Sequence, residues 1–165
     1  MPSSSWKKKK YNYNDKDPLI TEDKFLQLKN KLERLKRNQP EAISEVSRLA
    51  QLGDFSENVE YQLAKGRLRK INHEMQVLEN QLHQAKIITS TDSSKIQVGH
   101  TVTVLIKDEQ KTYTILGSEE TDPFTGKISY NSPIGSALLG HRVGDVIEIN
   151  IGGKGVKYEI LDIKY

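Results

Sequence analysis

Residues 25–49 read FLQLKNKLERLKRNQPEAISEVSRL and residues 61–85 read YQLAKGRLRKINHEMQVLENQLHQA. In the first stretch apolar side chains recur at alternating intervals of three and four, through Phe25, Leu28, Leu32, Leu35, Ala42, Val46 and Leu49, with Gln39 the one polar member. The second gives Tyr61, Ala64, Leu68, Ile71, Met75, Leu78, Leu82 and Ala85 without interruption. This spacing is the seam of a coiled coil, so each stretch is expected to form a helix with one narrow apolar stripe. Only residues 50–60 separate the stripes, too short a span for a parallel return, so the expectation is an antiparallel helical hairpin. At 1.5 Å per residue, roughly 30 residues give an arm about 45 Å long. Thr21 suits the N-cap of the first helix, and Glu22 and Asp23 suit the positive end of its dipole. Pro40 removes a hydrogen bond inside it, predicting a kink or short break near Asn38–Pro40.

Before the hairpin, residues 1–17 have no hydrophobic period and almost no aliphatic side chains, the composition of a disordered arm. After Ile88 the pattern turns period-two and β-branched, over residues 101–106, 112–116, 127–130, 146–151 and 156–163, with turn signals at Asp122-Pro123 and Gly152-Gly153. One short helix is expected, with Ser132 as cap, Pro133 in the first position and Gly140 past the end. The chain thus reads as α+β: a basic tail over 1–17, a helical hairpin over 18–88 and a small, mostly antiparallel β domain over 89–165, with residues 91–95 as linker.

Composition narrows the chemistry. The 165 residues include no cysteine, which removes disulfides, thiolate metal sites and cysteine nucleophiles together. The four histidines, at 73, 83, 100 and 141, lie far apart, so a zinc centre is not expected. Nothing approaches a spanning apolar run or a secretory signal, and no membrane association is expected. The net charge of +3 is uneven. Five lysines against Asp15 and Asp17 give the tail +3, twelve basic and ten acidic groups give the hairpin +2, and eight against ten give the β domain −2. An anionic partner would therefore be met at the N-terminal half.

The hairpin turn, Gly53-Asp54-Phe55-Ser56-Glu57-Asn58, has two readings. In one, Asp54 caps the second helix and Glu57 completes a capping box. In the other, two carboxylates three residues apart converge at the tip of an arm, where they can be inserted into another molecule's cleft. Two carboxylates leave most of a six-oxygen Mg²⁺ shell unfilled, but they can complete a site whose other ligands belong to a partner and a phosphate. Behind the tip, Lys65, Arg67 and Arg69, with Arg48 opposite, suit a phosphate backbone running along the arm. An ordinary solvated flank with i,i+4 ion pairs such as Lys70–Glu74 is the alternative.

The segment Gly53-Asp54-Phe55-Ser56-Glu57-Asn58-Val59-Glu60-Tyr61 closely resembles the tip of the bacterial Gre transcript cleavage factors, GreA and GreB. Pro18-Leu19-Ile20-Thr21, Lys65-Gly66-Arg67-Leu68-Arg69, Asn131-Ser132-Pro133-Ile134, Leu138-Leu139-Gly140 and Val143-Gly144-Asp145 resemble further family motifs in the same order, covering about residues 18–165. The resemblance implies a coiled-coil hairpin followed by an FKBP-like domain. It further implies a cytoplasmic, monomeric bacterial transcription factor, DNA-binding among its attributes, that acts on multisubunit RNA polymerase stalled with its RNA 3′ end extruded into the secondary channel. By position, Asp54 and Glu57 would hold a Mg²⁺ shared with the polymerase active site, with no cofactor bound by the factor alone. Ser56 and Asn58 would support the tip, Arg48, Lys65, Arg67 and Arg69 would meet RNA, and Asn131, Ser132, Pro133 and Ile134 would meet the polymerase. The polymerase would cut its own transcript, so the factor is expected not to be an enzyme. Lys24, Gly66 and Gly135-Ser136 depart from the family's usual residues.

Two other classes compete. A Gre-fold inhibitor would block the channel, but such relatives usually alter the acidic tip that is intact here. An FKBP-type prolyl isomerase needs an aromatic-lined pocket, for which residues 89–165 offer only Tyr113, Phe124, Tyr130, Tyr158 and Tyr165 and no tryptophan, and a chaperone or tethering hairpin gives no reason for two acids at the tip.

Overall fold

The computed structural model describes residues 17–52, 58–89 and 92–165; the tail over 1–16 and most of the hairpin turn, residues 53–57, lie outside the described residues. Strand β1 (Leu19–Ile20) leads into helix α1 (Glu22–Ala50), and helix α2 (Val59–Gln84) returns to strand β2 (Lys86–Ile87). β1 and β2 pair in parallel, Leu19 with Lys86 and Ile20 with Ile87, closing the open end of the hairpin. Thr21 caps α1 as expected, its hydroxyl accepting from Lys24 N at 3.2 Å. The seam is thin. Leu28, Leu32 and Leu78 are buried with Ile20 near the base, while Leu49 and Ala64 are buried near the turn.

Polar ties cross the seam in antiparallel order. Gln39, the polar member of the stripe, donates to Asn72 Oδ1 at 2.7 Å, and Arg67 stands 3.4 Å from Glu45. Helix α1 continues through Pro40, so of the expected kink or short break the break is absent. An interior proline costs about 3 kcal/mol, but the helix is held on both sides of it by packing and cross-seam ties. The Lys70–Glu74 pairing is also superseded: Glu74 lies 2.5 Å from Lys31 on the opposite helix. That hydrogen bond, with the positive charge of Lys31, Lys70 and Arg34 around it, holds the Glu74 carboxyl below its usual range.

The β domain is a five-stranded sheet in the order β5-β4-β3-β7-β6, built from β3 (Thr101–Ile106), β4 (Glu109–Leu116), β5 (Lys127–Ser129), β6 (Val146–Ile151) and β7 (Lys154–Lys164). β4 and β5 are parallel and the other pairs antiparallel. Two 3₁₀ turns, Ser118–Glu120 and Pro123–Thr125, occupy the β4–β5 connection. Helix α3 (Pro133–Leu138) covers the sheet, burying Leu138 against Val102, Val104, Ile115, Ile149, Tyr158 and Ile160. Ser132 caps it, accepting from Gly135 N at 3.0 Å, and Gly140 follows its end with φ +80°. Buried positions alternate with more exposed ones through Val102 and Val104 of β3 and Tyr158 and Ile160 of β7, the signature of a sheet packed on one face, and a register shift opposite Thr103–Val104 carries the pattern on to Ile163.

Candidate functional site

At the far end of the hairpin α1 closes on Gln51, whose N–H returns to the carbonyl of Arg48, while the Leu52 N–H returns to that of Leu49. α2 opens at Asn58, whose Oδ1 accepts from Tyr61 N at 3.1 Å. The N-cap is therefore Asn58, and the reading of Asp54 and Glu57 as the capping box of this helix is corrected. The cause is local competition: the asparagine side chain satisfies a first-turn N–H as well as aspartate does, and the helix opens from Asn58. Asp54, Ser56 and Glu57 themselves lie outside the described residues. Over the 26 residues of α2 the rise is about 39 Å, which separates the turn from the β domain by most of the arm.

Four cations stand behind the turn in different states. Arg48 and Arg69 are exposed. Lys65 sits over the Tyr61 ring, its ammonium 5.1 Å from the centroid. Arg67 Nη1 contacts both Glu45 carboxylate oxygens at 3.4 Å across the seam, a tie that sequence spacing did not indicate. Tyr61, Lys65, Arg69, Val46, Leu68 and Asn72 line a shallow groove of about 250 Å³ between the helices. Aromatic face, aliphatic floor and two cations are suited to a nucleobase with its phosphate.

On the β domain, the motif at residues 131–134 divides by role. Ser132 donates to Ser129 O at 2.6 Å and caps α3, and Ile134 packs against the core. Asn131 and Pro133 are exposed. Of the aromatics weighed for an isomerase pocket, Tyr158 is buried in the core with Tyr113 and Tyr130 packed against it, and Phe124 is fully exposed. Among the described residues there is no group of three or more His, Cys, Asp or Glu placed to hold a metal ion, and no helix long and apolar enough to cross a membrane.

The described residues form a two-helix hairpin followed by a five-stranded β domain. Residues 18–87 match the family model for the N-terminal domain of transcription elongation factors, and residues 91–165 match the GreA/GreB C-terminal model. Transcription elongation factor GreA of Thermosipho melanesiensis is 40% identical over 149 residues, covering 88% of this chain and 95% of the relative. GreA of Clostridioides difficile is 37% identical over 155 residues, covering 91% and 98%. The solved structure of GreA factor homolog 1 of Thermus thermophilus aligns over 91% of this chain and 100% of its own, at 25% identity and a TM-score of 0.42. The chain belongs to the GreA/GreB family of transcription elongation factors.

Proposed function

We propose that this elongation factor inserts its hairpin into the secondary channel of RNA polymerase and stimulates the polymerase's own cleavage of backtracked RNA. The observation that carries the reading is a helical arm whose second helix rises about 39 Å between the β domain and its Asn58 cap, with Asp54 and Glu57 in the stretch of sequence that joins the two helices there. Asp54 and Glu57 would bring two carboxylates to a Mg²⁺ shared with the polymerase, with Ser56 and Asn58 holding the turn in shape. The ion supplies a polarised phosphate and a more acidic water when bound. The factor's own residues supply position: acceptors that orient a water, on a rod stiff enough to keep them there.

Arg48, Lys65, Arg67 and Arg69 follow the extruded RNA. An exposed ion pair such as Arg67–Glu45 contributes about 0–1 kcal/mol, so a phosphate can displace Glu45 at small cost. The β domain grips the channel rim through the surface around Asn131 and Pro133, which Ser132 and Ile134 hold in place from beneath. The factor acts in the cytoplasm as a monomer and is not itself an enzyme.

Purified protein added to a backtracked elongation complex with Mg²⁺ is expected to release short 3′ RNA fragments. Asp54→Ala and Glu57→Ala should still bind and fail to cut. Full activity in both variants would refute the assignment.

A further inference from the structure

The hairpin meets the β domain through an exchange of carboxylates. Glu120, in the 3₁₀ turn after β4, accepts from the Thr21 N–H at 2.7 Å and from the Thr21 hydroxyl at 2.5 Å, across a separation of 99 residues. In the opposite direction Asp17, just before β1, accepts from Ser118 N at 2.9 Å, from Ser118 Oγ at 3.2 Å and from the Tyr130 hydroxyl at 3.3 Å. Each side gives a carboxylate to the start of the other side's helical turn.

The local sequence explains why Glu120 is needed. In a capping box the third helical residue is a Glu or Gln that reaches back to the N-cap N–H. Here Thr21 is the N-cap and Lys24 holds that third position, so α1 cannot close its own box. Glu120 closes it from the other domain. A third feature holds the two sides at close range: a methyl on Gly117 would overlap the Leu19 carbonyl oxygen, and the φ of −70° at Gly117 is open to any residue. Gly117 is therefore required by the approach of β1, and not by its own backbone conformation.

We infer that Asp17, Glu120 and Gly117 form a latch that sets the angle of the hairpin on the β domain, and that Asp17 and Glu120 are positioning residues for the acidic turn. The lever is long. A rotation of about 10° at the base displaces the far end of a 39 Å arm by roughly 7 Å, far beyond the tolerance of an inner-shell metal contact. Docking through the β domain does not depend on that angle; delivery of the turn does.

The inference rests on the proposed function for its consequence but not for its structural content, and the two are tested separately. Because the chain has no cysteine, Ser47→Cys on exposed α1 and Asn150→Cys on exposed β6 accept a unique pair of spin labels in the full chain. The parent should give one narrow interlabel distance distribution. Asp17→Ala with Glu120→Ala should shift or broaden it by several ångströms, Gly117→Ala should do the same from the other side of the contact, and Glu120→Gln, which keeps an acceptor, should stay near the parent. Circular dichroism and thermal unfolding establish that each variant folds. In cleavage assays the double variant should lose maximal rate several-fold, while the concentration for half-maximal effect stays within about twofold. Unchanged distance distributions in both the double-alanine and Gly117→Ala proteins would overturn the latch, as would a Glu120→Gln distribution as broad as that of the double variant. Altered distributions with no cleavage by the parent would uphold the latch and refute the functional reading instead.

Discussion

Replacing Gly135 by alanine should destabilise the β domain even though the same change is favourable in most helices. Gly135 is buried in the first turn of α3, where a methyl group would overlap the Ser129 carbonyl oxygen and stand 2.9 Å from Ser132 Oγ. Both are backbone or cap atoms, and Ser132 Oγ is already committed to Ser129 O and Gly135 N, so neither neighbour can swing aside. Relief requires α3 to lift from β5, loosening Leu138 in the core. Because neither neighbour gives way, the overpacking cost lies in the upper part of the usual range, about 2–3 kcal/mol, and the gain in helix propensity returns at most about 1 kcal/mol, leaving a net loss of about 1–2 kcal/mol. For a domain of this size that is a fall in Tm of about 5–15 °C. The control is Gly66→Ala in α2, where nothing lies within 4 Å of the added methyl. There only propensity acts, and the hairpin should gain about 1 kcal/mol. Near-ultraviolet circular dichroism follows the β-domain tyrosines and the signal at 222 nm is dominated by the hairpin. A Gly135→Ala protein with unchanged or raised β-domain Tm would refute the reasoning, because it would mean α3 is not held against Ser129.

Two further predictions concern single groups. Asn58→Ala removes the α2 cap and should cost about 1 kcal/mol, read as a lower hairpin midpoint and faster amide exchange at Tyr61, while Asn58→Asp should restore both. His100 is buried, its Nδ1 accepting from Gln97 N at 3.2 Å and its ring set edge-on to Tyr165. Burial pushes its pKa down, against the opposing pull of Asp92 and a Lys95 backbone hydrogen bond. The unfolded chain then binds a proton that the folded chain resists, so stability is full above about pH 6.5 and falls as pH drops through the lowered folded value, by at most about 1.4 kcal/mol per pH unit. Urea midpoints between pH 7.5 and 5 should show this slope and His100→Gln should flatten it; equal slopes would refute it. Asp92 and Asp145 are held below their usual range by backbone N–H groups of Ser94 and Arg142, and they lose their contribution only at lower pH, below the usual carboxylate range.

What the sequence made legible was whatever depends on neighbours along the chain. Heptad spacing gave both helices and their pairing; Thr21 and Ser132 gave their caps; alternation gave β3 and β6 with the bounds the structure has. The misses share a physical origin in competition or distance. Asp54 and Asn58 are both good caps within one short turn, and no propensity scale separates them. Pro40 breaks an isolated helix, but α1 is held on either side of it by α2. The two-residue strands β1 and β2 are too short for any periodicity and exist because the ends of the hairpin are brought together.

The same distinction applies to the site. A tip motif is local, so the proposed roles of Asp54, Glu57 and the cations behind them rest on sequence, whereas the contacts at the base of the hairpin could not be read from it. Asp17 belongs by composition to the tail, and Glu119 and Glu120 look like a solvated acidic pair. Only the fold brings Asp17 to Ser118 and Glu120 to Thr21. A motif specifies which groups arrive at a partner's reaction centre. On a long arm, where they arrive is set at the opposite end, by contacts whose partners lie about a hundred residues apart, and a variant that keeps every tip residue can therefore still lose function through its base.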